Sequence, residues 1–372
     1  MAKITDTRKL KTGDFAIVLL VTGLVIFGIV MIFSASYYNS INDAGTPYTY
    51  LKKQGAYSIV GFFLMWICSK IDYHVYRKFS ILILVVSFIL LGLLFTPLGV
   101  EVNYAKRWLN VGVTMLMPGE IAKIAAIIFT ASFLASNPKK ILSFTKGVFP
   151  LLCIAGIYGV LIIMQPNLST AITVCGIIVG MMFLAGLQWR YLLGIAGLGV
   201  VGVLGLIFID DGGYRMNRLL SFLDPFADAL GSGYQVVQSL LALGTGGLFG
   251  LGLGKSIQKN LYLPEPQNDF ILAIIGEELG FVGITILFIV YAILLWRCFH
   301  ICMNAPDKLG MLISGGITIM MGLQIILNIA VVTSSMPPTG VTLPFVSYGG
   351  NALMLFMGSI GILLNISKKS PL

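Results

Sequence analysis

Apolar residues fall in long blocks along this chain, and polar residues collect in the stretches between the blocks. Neither the two-residue alternation of a half-buried strand nor the narrow stripe of a surface helix dominates. The blocks have the pattern of helices that are apolar on every side. The hydrocarbon core of a bilayer takes about 20 such residues per crossing. About ten spans are predicted, at roughly 14–36, 55–71, 79–96, 118–136, 148–165, 168–187, 191–209, 269–296, 309–332 and 352–367. The fold class predicted is an all-α polytopic membrane protein. Its largest connection, an outer loop over 210–268, lies between the seventh and eighth helices. A loop of that length implies function or structure of its own. No repeat, low-complexity stretch or linker divides the chain, so 1–372 is predicted to form a single integral membrane domain.

Composition agrees with the pattern. The chain is 57% hydrophobic and 10% charged, with a mean hydropathy of +0.94, which excludes an ordinary soluble domain. A net charge of +9 raises the question of nucleic acid, but the cations are dispersed between apolar blocks, so no nucleic acid partner is expected. Membrane topology accounts for them instead. Placing both termini in the cytoplasm puts fifteen of the 24 Lys and Arg residues on the inner side. Six of the outer cations gather in two polar segments, 97–117 and 210–268: Lys106, Arg107, Arg215, Arg218, Lys255 and Lys259. A cation-rich outer face suits an anionic substrate, although long outer loops also carry such charge without penalty. The five cysteines lie in or beside apolar spans, so no disulfide framework is implied.

The most informative stretch is Leu263-Pro264-Glu265-Pro266-Gln267-Asn268-Asp269-Phe270-Ile271, which leads into an apolar span. An Asp at that place can simply cap a helix. Two features argue for more. Asp269 closes the long polar loop, and Glu277 and Glu278 follow inside the hydrophobic span, where carboxylates are expensive and usually functional. Glu120 and Lys123 are three residues apart in the fourth span, on one helix face, and can pair there either as structural glue or as part of a wet cavity. Arg107 is followed by Trp108, a residue suited to the membrane interface. Gln165-Pro166-Asn167 reads as a tight turn. The glycine-rich run from Leu243 to Lys255 matches no nucleotide motif and is expected to permit a re-entrant or closely packed backbone. Between the last two spans, Met336 to Asn351 holds three prolines and three glycines and is predicted to form a rigid loop dipping toward the bilayer.

Taken together, Pro264-Glu265, Asp269-Phe270-Ile271, Glu277-Glu278-Leu279-Gly280, Pro338-Thr339-Gly340 and Leu343-Pro344-Phe345 with Ser347-Tyr348-Gly349-Gly350 resemble the signatures of the SEDS family. These are the shape, elongation, division and sporulation proteins. Arg107-Trp108, Pro118, Glu120, Lys123, Gln165-Pro166 and Asp224-Pro225 match as well, so the resemblance spans the chain. The wording is closer to the FtsW and sporulation type than to the RodA type. Met117 and Gly119 replace the usual Gln and Ser of the fourth-span motif, Asn167 stands where an acid is common, and Gln267-Asn268 where His-Thr is common.

The resemblance implies a peptidoglycan glycosyltransferase of the bacterial cytoplasmic membrane. Such an enzyme polymerises lipid II at the outer face and partners a class B penicillin-binding protein. The chemistry needs a base beside the attacking sugar hydroxyl and cations beside the departing pyrophosphate. Asp269 is the expected base. Lys106, Arg107, Arg215 and Arg218 are candidates for the pyrophosphate, and Glu120 with Lys123 for the cavity floor. The motifs add Trp108, Glu265, Ser347 and Tyr348 to the substrate-binding candidates. The resemblance implies no definite cofactor, and a divalent cation, Mg²⁺ or Mn²⁺, could replace some of the arginines. The alternatives are a lipid II flippase, with Glu120, Lys123, Glu277 and Glu278 along its path, and a scaffold that only places a partner enzyme.

Overall fold

The computed structural model describes residues 13–102, 105–112, 115–208, 222–231 and 233–370. In chain order the elements are α1 Phe15–Ala44, α2 Thr49–Lys70, α3 Tyr73–Lys78, α4 Ser80–Leu93, β1 Gly99–Val102, β2 Ala105–Asn110 and β3 Met115–Leu116. There follow α5 Pro118–Ser136, α6 Phe149–Ile163, α7 Leu168–Leu184, α8 Trp189–Phe208, α9 Tyr234–Gly246, α10 Ile271–Met303, α11 Lys308–Val332 and α12 Gly350–Lys369. Among the described residues six helical stretches, α1, α5, α6 with the preceding turn from Phe144, α10, α11 and α12, are long and apolar enough to cross a membrane, and α4 and α7 are shorter apolar helices. The fold is polytopic and mostly helical.

Helix starts follow local sequence. Asp14, Asn167 and Asp307 cap α1, α7 and α11 by accepting from the backbone N–H of Ala16, Thr170 and Gly310. Pro118 opens α5, where its missing N–H is no loss. In the bundle α12 runs along α2, while α5, α7 and α11 pack together. At one end, connections between distant elements are ionic. Arg297 meets Asp14 at 3.7 Å, His74 lies 2.8 Å from both Asp72 and Asp307, and Lys369 pairs with Asp72. The Lys369 ammonium holds the Asp72 carboxyl well below the usual carboxylate range. The loops with the candidate chemistry gather at the other end.

The chain departs from the predicted all-α pattern in three places. Between α4 and α5 the described strands β1, β2 and β3 form a three-stranded antiparallel sheet in the order β1-β2-β3. Its short alternating stretch Ala105-Lys106-Arg107-Trp108-Leu109 was masked by the long apolar blocks on either side. The outer loop contains a helix of its own, α9. Third, α10 is not one continuous helix: Gly280 has φ 67° and ψ −170°, which breaks it.

That break is filled by the glycine-rich run. The N–H groups of Leu251 and Gly252 donate to the carbonyls of Glu277 and Glu278 at 2.9 Å. In return the N–H groups of Phe281 and Val282 donate to the carbonyls of Gly247 and Leu248 at 2.9 and 3.0 Å. Groups freed by the broken ladder are thus satisfied by inserted backbone, a condition for irregular chain among membrane helices. Only glycine allows the approach. A Cβ on Gly280 would lie 2.3 Å from the Gly250 nitrogen and 2.5 Å from the Leu248 oxygen. The closely packed backbone expected of these glycines is what they form.

Candidate active site

Four loops meet around Asp269. Its own turn precedes α10, with Phe270 at the N-cap position and Asp269 half-buried just outside the helix. The Asn328 amide of α11 donates to the carbonyls of both Asp269 and Val341, at 2.8 and 2.7 Å. One side chain therefore fixes the Asp269 turn to the 333–349 loop. The Tyr348 N–H donates to the Gln267 carbonyl at 2.9 Å, and the Asn39 amide of α1 donates to Gln267 Oε1 at 3.2 Å. Tyr291 of α10 donates its hydroxyl to the Pro344 carbonyl at 2.5 Å. The rigid dipping loop predicted for this segment thus has physical restraints on both sides.

The strand β2 brings Arg107 in from the opposite side. Successive strand residues alternate between faces, so Arg107 shares the inner face with buried Ala105 and Leu109. Its Nη2 donates to the Pro166 carbonyl in the turn before α7. In that same turn region the Ser169 hydroxyl donates to the Thr339 carbonyl at 2.6 Å. The decisive meeting point is Gly340, at φ +70°. A Cβ placed there would lie 3.6 Å from Asp269 Oδ2 and 3.9 Å from Arg107 Nη1. A carboxylate from the chain's second half and a guanidinium from a strand 162 residues earlier therefore flank one glycine.

The other candidates divide. Lys106 stands exposed, paired in register with Glu101 across the sheet, so it does not converge with Arg107. Strand alternation is the reason. Trp108, on that same outer face, is half-buried opposite Val100. Arg215 and Arg218 lie outside the described residues. Glu120 and Lys123 form a buried ion pair at 2.6 Å. Glu120 Oε2 has no hydrogen-bond partner and the residue lines a cavity of about 180 Å³ with Leu64, Leu116, Met117, Ile121, Asn351, Met354 and Leu355. The cavity is a chiefly apolar slot with one carboxylate in its wall. Asn351 ties it to the sheet by donating to the Met115 carbonyl at 2.8 Å.

Glu265, at φ 49°, accepts from Gln267 Nε2 and Asn268 Nδ2 at 3.0 and 2.9 Å. Burial of its carboxyl, and then the Asp43 charge, push its pKa up. The Ser347 hydroxyl is buried and accepts from the Leu343 N–H at 2.8 Å, so it shapes its own turn. Tyr348 sets its ring edge-on to Tyr50 at 5.0 Å, and burial, followed by Tyr57 and Glu265, pushes its phenol up to about 12. Among the described residues no group of three His, Cys, Asp or Glu side chains is placed to hold a metal ion.

Glu277 and Glu278 are both fully buried, and both serve the loop 250–260. Glu277 accepts from the Ser256 hydroxyl and from the N–H groups of Ile257 and Gln258. Glu278 accepts from Ser34 of α1 at 2.6 Å and from Lys259 Nζ at 2.9 Å. They line no path. Lys259, counted among the outer cations by its place in a polar loop, is 4% exposed and neutralises Glu278. A lysine preceding an intramembrane carboxylate pair was the available signal, and the distance in sequence concealed it.

Comparisons with known proteins place the whole chain in one family. The family model described as cell cycle protein, covering FtsW, RodA and SpoVE, matches residues 15–371. Stage V sporulation protein E of Bacillus subtilis (strain 168) is 40% identical, over 98% of this chain and 99% of its own. A probable peptidoglycan glycosyltransferase FtsW of Geobacter sp. (strain M18) is 36% identical, over 97% and 98%. Among solved structures, a chain of a peptidoglycan synthase complex coordinating polymerization and crosslinking superposes with a TM-score of 0.80, at 26% identity, covering 96% of this chain and 98% of its own. The rod shape determining protein RodA of Thermus thermophilus does so with a TM-score of 0.71, at 25% identity, covering 97% and 98%. Matched along nearly its whole length in sequence and in shape, the chain belongs to the FtsW, RodA and SpoVE family of cell cycle proteins.

Proposed function

We propose that the protein is a peptidoglycan glycosyltransferase that polymerises lipid II at the outer face of the bacterial cytoplasmic membrane. The chain crosses the membrane ten times with both termini inside, so the Asp269 loops face outward. The observation carrying this reading is the convergence of the Asp269 carboxylate and the Arg107 guanidinium on Gly340. A sugar hydroxyl attacks the anomeric carbon of a second, lipid-linked sugar, and the bond from that carbon to the pyrophosphate breaks. Asp269 takes the hydroxyl proton as the new glycosidic bond forms. Arg107 faces the negative charge gathering on the departing lipid pyrophosphate. A single displacement inverts the anomeric centre. The apolar cavity beside Glu120 suits the hydrocarbon chain of such a substrate, and Glu120, paired with Lys123, stands in its wall. Arg215 and Arg218 remain candidates for additional pyrophosphate contacts.

The partner is a class B penicillin-binding protein, which cross-links the strands made here. The superposition on a chain of a synthase complex supports this. Polymer formation by purified protein in detergent, with lipid II and with or without the partner, is the test. No leaflet has to be crossed there, so a flippase or a scaffold gives no polymer. Product that appears with the unmodified chain and vanishes with Asp269→Ala is the expected result. Retained polymerisation by Asp269→Ala overturns the base assignment.

A further inference from the structure

The broken helix isolates the segment that carries Asp269. From Phe270 to Glu278 every residue is buried, whereas Phe281, Ile286 and Ile289 beyond the break are 64%, 58% and 53% exposed. A continuous α10 would transmit the position of its long outward-facing half to Asp269. With Gly280 at φ 67° the hydrogen-bond ladder is interrupted, so the short half-helix 271–279 must be held by other contacts. At 1.5 Å per residue it is about 13 Å long, with Asp269 just above one end and Glu278 at the other.

The chain closes on itself at that lower end. It leaves Lys259, rises through the 260–268 loop to Asp269, descends through the half-helix and meets Lys259 again at Glu278, Nζ to Oε1 2.9 Å. Ser34 of α1 joins the closure, donating to Glu278 Oε1 at 2.6 Å and accepting from Lys259 Nζ at 3.0 Å. Lys259 and Glu278 are 4% and 0% exposed. A buried pair with a satisfied environment holds one geometry, because every displacement strands a charge in a low-dielectric setting. Neither residue lies among the loops that meet at Gly340.

We propose that Lys259 and Glu278 are positioning residues for Asp269: their ion pair closes a ring of chain whose apex is that carboxylate, and Ser34 fastens the ring to α1. The pair sets the height and rotation of the half-helix and thereby the placement of Asp269 opposite Arg107. This rests on the reading of Asp269 as the base. The role is distinct from holding the fold together, because the upper loops are independently tied by Asn328 and Tyr348. Loosening the pair leaves the substrate's binding surfaces in place and misaligns the base.

The experiment uses the full-length purified protein with its penicillin-binding partner and measures initial polymerisation rates across lipid II concentrations. Lys259→Met combined with Glu278→Gln removes the ion pair without leaving an orphan charge. The expected result is a kcat lower by about ten- to a hundredfold with KM changed less than about twofold, the signature of misplaced chemistry in an otherwise formed site. Lys259→Arg, which keeps the pairing, is expected to retain kcat within about threefold. Should the double variant not yield monodisperse protein, Ser34→Ala removes only the fastening to α1 and is expected to lower kcat in the same KM-independent way. An unchanged kcat in the double variant, or in Ser34→Ala where the double variant does not fold, overturns the inference, as does a rise in KM alone. Asp269→Ala is run beside them: its retained activity defeats the base assignment, while its inactivity with an unaltered double variant defeats only the positioning role.

Discussion

Asp269 and the pair Glu277–Glu278 lie within ten residues of each other, and all three are acids at or inside a membrane span, yet the structure surrounds them differently. Asp269 is half-buried outside the helix, where four loops and the Arg107 guanidinium converge. Glu277 and Glu278 are fully enclosed, and their oxygens serve to receive a loop that fills a broken helix. A carboxylate's presence in a hydrophobic span therefore says that it has a task. Whether the task is chemical or architectural depends on what surrounds its oxygens.

The comparison is tested most severely by exchanging the two kinds of loss. Asp269→Ala should lower polymerisation by about 10²–10⁴-fold, the usual range for removing a positioned base, while the thermal midpoint in detergent stays near that of the unmodified protein. A matching drop in midpoint would make Asp269 architectural too. Arg107→Ala should follow, lowering kcat by about 10²–10³-fold, as for a lost electrostatic stabiliser of developing charge. Steady-state kinetics with a short-chain lipid II would show whether KM carries the effect instead.

Glu277→Ala should show the reverse pattern. It leaves the buried Gln258 N–H and Ser256 hydroxyl, and the part-buried Ile257 N–H, without their acceptor, at about 1–3 kcal/mol for each buried group stranded. Thermal or denaturant unfolding should fall sharply, with activity per folded molecule much less affected. Lys106→Ala, on the outer strand face, should alter unfolding by no more than about 0.5 kcal/mol. Its polymerisation rate should stay close to that of the unmodified protein, which tests the separation of Lys106 from Arg107 by strand alternation.

The smallest effect concerns Glu265. Burial and the Asp43 charge raise its folded pKa above the unfolded value, so the folded state binds the proton more tightly. The stability this contributes is fully present below the unfolded pKa and is lost as pH rises through the folded pKa. Glu265→Gln should flatten that part of the stability–pH profile, measured by unfolding at a series of mildly acidic pH values. An unchanged slope would assign the dependence to another group.

Much of the fold was legible because its signals are local. Apolar blocks mark the helices, Asp14, Asn167 and Asp307 mark caps, and Pro118 marks the start of α5. The short sheet was not, since five alternating residues weigh little beside adjacent spans of about 20. At the site, Asp269, Arg107 and the Gly340 loop stood out as residue types in unusual places. Lys259 did not, because a lysine in a polar loop looks solvated until its partner, 19 residues away, is folded against it.

The sequence alone determined that the chain is a polytopic helical membrane protein, that polar chemistry gathers in a few segments, and which motifs carry the family resemblance. These follow from hydropathy, charge and short-range pattern, which are properties of residues and near neighbours. Only the tertiary structure decided which charges meet. The placement of Asp269 and Arg107 beside Gly340, the enclosure of Glu277 and Glu278, and the insertion of glycine backbone at Gly280 depend on contacts between distant segments. Such contacts are selected by packing and by the satisfaction of buried polar groups, and neither can be read one position at a time.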